Sequence, residues 1–226
     1  MTLERTLVSA HRCLTAADIE AAIALGADYV EFDVQRCADG SLVLHHDPVD
    51  EAPAGVLRYD AALDLLAGRA KAHLDLKFEG DEVPVVARAV ERLGTDDLLV
   101  TTLHDEAVRS VRDWADAEGH PLEVGLSLGR GVGRFRLWQT LKVRSSEIWP
   151  GVRYHHSGAN VVVAHHWLAR IRVRRFARRR GLPLVVWTVD TPKALAYWMR
   201  PGRAWMVTTN RPEIALDLRS PDTLSP

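Results

Sequence analysis

Eight short apolar runs alternate with helical segments along this chain, and that alternation limits the folds open to it. The runs cover residues 6–10, 29–34, 72–77, 98–103, 122–128, 160–164, 183–189 and 204–209. Between them, helical periodicity and end signals predict helices at 15–25, 60–67, 82–93, 106–118, 135–143, 167–180, 192–199 and 211–218. Thr15 stands where an N-cap belongs, Gly26, Gly119 and Gly181 stand where helices stop, and Pro212 falls in a first turn. A strand followed by a helix and another strand is a parallel βαβ unit. Eight such units close into a single (β/α)8 barrel, and 226 residues is near the compact end for one. An open doubly wound sheet is the runner-up. The barrel is expected over 1–219, with a loose tail at 220–226. One further run, 42–46, follows an Asp39-Gly40 turn and reads as an extension of the second strand or its hairpin partner.

Composition excludes several classes. With 47% hydrophobic and 26% charged residues, the chain is an ordinary globular one. Residues 1–12 carry no signal-peptide core, and no apolar run approaches the length of a membrane span. Two cysteines, Cys13 and Cys37, give no disulfide framework, so a reducing cytoplasm is expected. The net charge of −1 conceals an asymmetry. Residues 1–126 hold 11 Lys/Arg against 25 Asp/Glu, whereas 127–180 hold 13 against the single acid Glu147. Such a block suggests an anionic partner. Arg134-Phe-Arg-Leu-Trp138 and Trp149 add aromatic and cationic side chains of the interfacial kind. Peripheral contact with an anionic membrane surface, at the inner face, through residues 134–180 is one reading. A solvated outer helix is the plain alternative, and no recognised nucleic-acid motif accompanies the basic run.

The chemistry gathers at the ends of the first three barrel strands. Side chains two apart on a strand share a face, so Glu31 and Asp33 point one way while Val30, Phe32 and Val34 point the other. Two carboxylates pushed together on an apolar strand need a partner, and a hard divalent cation is the simplest. Asp75 and Lys77 share a face of the third strand, His11 and Arg12 end the first, and His46 ends the run after the turn. In a barrel these would meet across neighbouring strands. Glu31, Asp33 and Asp75 could hold one Mg²⁺ or Ca²⁺. Arg12 and Lys77 suit a phosphate. His11 and His46 could act as general base and general acid. The set fits attack at phosphorus with a metal as Lewis acid.

Several stretches carry a resemblance to a known family. They are Ala-His-Arg at 10–12, Gly-Ala-Asp-Tyr-Val-Glu-Phe-Asp-Val at 26–34, Asp-Gly-Ser-Leu-Val-Leu-His-His-Asp at 39–47 and Asp-Leu-Lys at 75–77. Trp-Thr-Val-Asp at 187–190 and Thr-Thr-Asn-Arg-Pro at 208–212 follow. Together the chain resembles the glycerophosphodiester phosphodiesterase family of barrel enzymes. The resemblance implies Glu31 and Asp33 as metal ligands, His11 and His46 as the acid/base pair, Arg12 and Lys77 at phosphate, and Trp187 lining the substrate pocket. It implies that a substrate hydroxyl attacks its own phosphodiester, and that the cyclic phosphate formed is then open to water. Three departures stand out. Cys13 replaces the usual glycine after His-Arg, the Pro-Glu-Asn-Thr segment is absent, and the third acid is Asp75 rather than Glu. The Asp-x-Lys pair also looks like the sphingomyelinase D-type phospholipases, and the insertion after the second strand is cut to 48–58. The substrate expected is a glycerophosphodiester or a lysophospholipid head group. A phospholipase D-type release of cyclic phosphate, or a barrel that binds phosphodiesters or membranes without turnover, are the alternatives.

Two histidine doublets, His155-His156 and His165-His166, bracket the sixth run. They could form a second metal site, and His165, at a strand top, could touch substrate. Cys13 and Cys37 follow the first two strands and could approach each other as a redox pair. Two reduced thiols are the simpler expectation.

Overall fold

A computed structural model describes residues 5–129 and 150–219. Eight parallel strands close on themselves: β1 (Leu7–Ala10), β2 (Tyr29–Arg36), β4 (Lys71–Leu76), β5 (Leu98–Thr102), β6 (Glu123–Leu128), β7 (Val161–His165), β8 (Leu184–Trp187) and β9 (Met206–Thr209). Closure comes from β1, which pairs with both β9 and β2. β3 (Leu42–Leu44) lies antiparallel on the extension of β2, with Val34 opposite Leu44 and Arg36 opposite Leu42. The run after the Asp39-Gly40 turn is thus a hairpin partner, and the expected (β/α)8 barrel is the fold.

The helices are α1 (Ala16–Leu25), α2 (Tyr59–Leu66), α3 (Glu82–Leu93), α4 (Asp105–Glu118), α5 (Gly151–Ser157), α6 (166–180), α7 (Pro192–Trp198) and α8 (Pro212–Asp217). α1 shows why the sequence signals work. The Thr15 hydroxyl accepts from the Asp18 N–H at 3.2 Å, while the Asp18 carboxylate accepts from the Thr15 N–H at 3.0 Å. This reciprocal cap satisfies two donors that the helix itself leaves over. Gly26, at φ 75°, closes the other end in the left-handed region. α6 runs through His166–Leu168, a π-helical stretch Ala169–Val173 and Arg174–Arg180.

One element departs from expectation. Pro150-Gly151 reads as a turn, yet α5 opens there, with Pro150 at φ −74°. Proline's fixed φ is compatible with a helix start, and seven residues are too few to display a period. Tyr154 anchors this short helix by donating its hydroxyl to the Leu126 carbonyl at 2.6 Å. The helix expected at 135–143, the aromatic-basic stretch at 134–138, Trp149 and the tail 220–226 lie outside the described residues.

Strand alternation divides the barrel wall into two faces. Val30, Phe32, Leu74, Val100, Leu126 and Val186 point outward and join one buried cluster with the helices. Burying a side chain such as Phe32 is worth about 1.5–3 kcal/mol, so this layer supplies much of the drive to fold. Toward the N-terminal strand ends, Tyr29, Leu99, Val161, Val185 and Met206 close the lumen with a smaller apolar cluster. Above it the lumen turns polar, with buried Ser9, His73, Thr101, Ser127 and Thr208. Below the mouth the barrel is therefore plugged, and chemistry is confined to the C-terminal strand ends.

Gly125 makes the wall close. A Cβ there would stand 2.5 Å from Val163 Cγ2 and 3.3 Å from Thr101 Cγ2. We expect Gly125→Ala to lower unfolding stability by about 1–3 kcal/mol through overpacking. The check is a denaturant titration, in which an unchanged midpoint would show slack in the wall.

Candidate active site

The paired strands β2 and β4 bring the acids together. Their register sets Glu31 opposite His73 and Asp33 opposite Asp75. Glu31, Asp33 and Asp75 each offer an oxygen within 4.8 Å of the others. Glu31 and Asp33 are buried, and Asp75 is half-buried. They line a cavity at the barrel mouth that also takes in His11, Arg12, His46, Lys77 and Trp187. All eight residues singled out in the sequence therefore meet at one mouth.

Burial, then the neighbouring charges of Asp33 and Asp75, push the Glu31 carboxyl well above its ordinary range. The Arg12 N–H opposes this by donating to Glu31 Oε2 at 2.6 Å. To do so Arg12 takes φ 56°, in the left-handed region where a side chain costs roughly 1–2 kcal/mol. Such a backbone is expected where a site needs a particular N–H. Cys13, in the place of the family's glycine, turns away from the cavity into the apolar core, where burial pushes its thiol up to about 12. Cys37 is also buried, and both thiols are free.

Lys77 lies between two of the acids. Its ammonium meets Asp33 Oδ1 at 2.8 Å and also bonds Asp75 Oδ2. Burial works against the charge, but Asp75 and Asp33 outweigh it and hold the amine protonated, above its ordinary range. Arg12 extends across the mouth, where its guanidinium donates to His46 Nε2 at 2.7 Å. Both cations thus rest on the site's own groups.

The two imidazoles have defined tautomers. A guanidinium only donates, so His46 Nε2 carries the lone pair and Nδ1–H donates to Asp33 Oδ2 at 2.6 Å. His11 Nδ1 meets Asn210 Oδ1 at 2.9 Å. The Asn210 amide is fixed by Asp190, to which its Nδ2 donates at 2.7 Å and its backbone N–H at 2.9 Å. Asn210 therefore presents oxygen to His11, whose Nδ1 must carry the proton. His11 Nε2 faces Glu31 Oε2 at 3.9 Å. Burial lowers the His11 pKa, and Asn210 partly offsets this, so the ring is neutral at pH 7.

Three residues of the site do not emerge from the sequence. Asp190 and Asn210 stand only inside matched stretches, with no sign that one fixes the other. His73 sits two residues before Asp75 on the same face, so strand alternation could have found it. Its Nδ1 meets Ser9 Oγ and its Nε2 meets Thr101 Oγ1, each at 3.1 Å. The histidine doublets divide. His156 pairs with Glu106 on the outer surface at 2.7 Å. His165 packs edge-on against Trp187, with ring centroids 5.5 Å apart, and does not itself line the cavity. Among the described residues the three acids form the one cluster suited to a metal, and neither doublet does.

Three oxygen donors, with mutual repulsion unrelieved at Glu31, fit a hard divalent cation. The barrel mouth thus joins an acidic cluster that could hold a metal to two oriented imidazoles. The sequence profile of the Glycerophosphoryl diester phosphodiesterase family matches residues 10–122, half of the chain, and the protein belongs to that family. A glycerophosphodiester phosphodiesterase of Caldanaerobacter subterraneus subsp. tengcongensis is 32% identical over 106 residues. That match spans 42% of this chain and 44% of the relative, less than half of either. Solved structures share the fold over nearly the whole length. The glycerophosphodiester phosphodiesterase of Thermotoga maritima superposes with TM-score 0.72 at 16% identity, covering 96% of this chain and 100% of its own. That of Agrobacterium tumefaciens gives 0.70 at 21%, covering 94% and 99%. An Oleispira antarctica phosphodiesterase, solved with the product sn-glycerol-3-phosphate, gives 0.69 at 19%, covering 95% and 96%.

His73 provides a pH test. Burial pushes its pKa down to about 3 from an ordinary 6.5. Between these values the unfolded chain binds a proton that the fold refuses. Its contribution is therefore full above pH 6.5 and is lost as pH falls toward 3. The raised Glu31 acts in the opposite sense, so wild type must be compared with His73→Asn. We expect the variant's stability to fall less steeply over this window in denaturant titrations. Parallel curves would show that His73 titrates normally.

Proposed function

We propose that the protein is a phosphoric diester hydrolase acting on glycerophosphodiesters or on lysophospholipid head groups. The observation that carries this reading is the meeting of three carboxylates and two tautomerically fixed imidazoles at one barrel mouth. Glu31, Asp33 and Asp75 would hold one Mg²⁺ or Ca²⁺. When bound, the ion supplies Lewis acidity and charge neutralisation at a phosphoryl oxygen. The chain's own groups do the rest. His11, neutral and with the Nε2 lone pair toward the cavity, takes the proton of the attacking hydroxyl, and Asn210 holds the ring in that tautomer. His46 first takes a proton from solvent at Nε2, Asp33 stabilises the resulting imidazolium through Nδ1, and the Nε2 proton then passes to the leaving alcohol. A protonated Nε2 cannot accept from Arg12, which turns the guanidinium over to a phosphate oxygen. Lys77 lies close enough to share that charge, and Trp187 walls the pocket. The substrate hydroxyl attacks its own phosphorus, one P–O bond forms as another breaks, and a cyclic phosphate results. Water opens it with the two histidines in exchanged roles.

A second reading, release of the cyclic phosphate as product, is favoured by Asp75 with Lys77, where the family usually has Glu. Phosphorus NMR with glycerophosphocholine, glycerophosphoethanolamine and lysophosphatidylcholine, with each metal in turn, separates the two by product. His11→Ala and His46→Ala are each expected to lower turnover by about 10²–10⁴-fold. Activity unchanged in either variant would remove that histidine from the acid/base pair. No turnover of any diester by the wild type would leave a binding barrel.

We also infer cytoplasmic residence, peripheral to an anionic membrane surface. Free buried cysteines agree with a reducing compartment. Among the described residues no helix is long and apolar enough to cross a membrane. The membrane contact rests on α6. Trp167 and Ile171, one turn apart, are 64% and 73% exposed. Arg174, Arg175, Arg178 and Arg179 line a single depression beyond them. Residues 150–189 contain no acid. Apolar anchors beside uncompensated arginines suit an anionic bilayer better than a nucleic acid. Co-sedimentation with phosphatidylglycerol vesicles is expected at low salt, and it should weaken in Trp167→Ala and in Arg175→Glu/Arg178→Glu. Absence of binding at low salt, or equal binding to phosphatidylcholine, would sink the idea.

A further inference from the structure

We propose that His73 is a positioning residue for Asp75, acting through the hydroxyl of Thr101; the inference rests on the reading of Asp75 as a metal ligand. The hydrogen bonds run across three barrel strands: Ser9 on β1, His73 on β4 and Thr101 on β5. They end on Asp75 Oδ1, which lies 3.1 Å from Thr101 Oγ1.

The donors can be assigned from chemistry alone. Thr101 has a single hydroxyl proton. Two acceptors compete for it, Asp75 Oδ1 at 3.1 Å and the Leu74 carbonyl at 3.4 Å. Neither can donate, and giving the proton to His73 would set a Thr101 lone pair against the Asp75 carboxylate at 3.1 Å, so Thr101 gives it to the nearer, charged Oδ1 and has only lone pairs left for His73. His73 Nε2 must therefore carry the ring proton and donate to Thr101. His73 Nδ1 is then the lone-pair nitrogen and accepts from the Ser9 hydroxyl. The direction is fixed from end to end, from Ser9 to His73 to Thr101 to Asp75.

The consequence lies in which way the Asp75 carboxylate turns. With Oδ1 taken by Thr101, Oδ2 faces Lys77, which also bonds Asp33. The second oxygen is thereby aimed at the acid cluster. The His73 N–H holds Thr101 Oγ1 as an acceptor on one side, which commits the hydroxyl proton to the carboxylate on the other. His73 is buried in the cavity's lining, and both of its ring nitrogens are engaged, one by Ser9 and one by Thr101. Its role is orientation of a ligand, the work usually done by groups one bond removed from a metal.

The experiment measures Mn²⁺ binding by electron paramagnetic resonance, with Mg²⁺ and Ca²⁺ as competitors. The proteins are wild type, Thr101→Val, Thr101→Ser, His73→Leu and the Thr101→Val/His73→Leu double variant. Thr101→Val and His73→Leu are expected to weaken the ion about 10–100-fold. Thr101→Ser, which keeps the hydroxyl, should stay within about threefold of wild type on the same scale. The double variant should be no weaker than the poorer single one, since both cut one chain. Nitrogen-15 NMR of the wild type, which needs no variant to fold, should show the Nε2–H tautomer at His73. Wild-type affinity in Thr101→Val, or an Nδ1–H tautomer, overturns the proposal. A wild type that binds none of the three ions overturns the metal reading itself, and this inference with it.

Discussion

Mutual repulsion among three carboxylates is the constraint that the rest of the site answers. Glu31, Asp33 and Asp75 are set side by side by the register of β2 on β4, and two of them are buried. At an effective dielectric near 20, two charges 4 Å apart repel by about 4 kcal/mol. Each neighbour offsets part of that. The Arg12 N–H reaches Glu31 at the cost of a left-handed backbone, Lys77 spans Asp33 and Asp75, and the His46 ring donates to Asp33. Glu31 keeps a residual penalty, which a hard cation beside it would relieve. The same charges that make the cluster costly to fold make it able to bind.

The barrel makes that arrangement tolerable. Its outer wall is aliphatic and its lower lumen is closed by apolar side chains, so the polar groups are confined to the upper lumen. There nearly every buried polar atom has a partner, as low-dielectric surroundings require. Asp190, Asn210 and His11 form one ordered series, and Ser9, His73, Thr101 and Asp75 another. Both link positions remote in sequence and end on a group that lines the cavity. Trp187 Nε1 and Thr208 Oγ1, both of residues lining the cavity, are exceptions there, and Ser41 Oγ and Arg112 Nε are the others among the described residues.

The departures from the family pattern look different in three dimensions. Cys13 replaces glycine without intruding, because its thiol packs into the core while its backbone N–H bonds the Glu31 carbonyl at 2.9 Å. The strained residue is the preceding one, Arg12, where φ is positive. Asp75 in place of glutamate is one methylene shorter, and Thr101 on the next strand holds its carboxylate in place.

The sequence by itself determined the architecture and which polar residues gather at the barrel mouth. Alternating strands and helices implied the barrel, and period-two patterning set Glu31 with Asp33 and Asp75 with Lys77 on lumen-facing sides, because pleat direction is a local property. Motif order then drew in His11, Arg12, His46 and Trp187. Only the tertiary structure decided what those side chains do to one another. That Lys77 bridges two acids, that Arg12 rests on His46, and that Asn210 orients His11 are contacts between strands, fixed by register and closure. His73 shows the boundary well. Its face was legible from Asp75 two residues later, but its partners Ser9 and Thr101 lie 64 and 28 residues away and meet it only when the barrel closes.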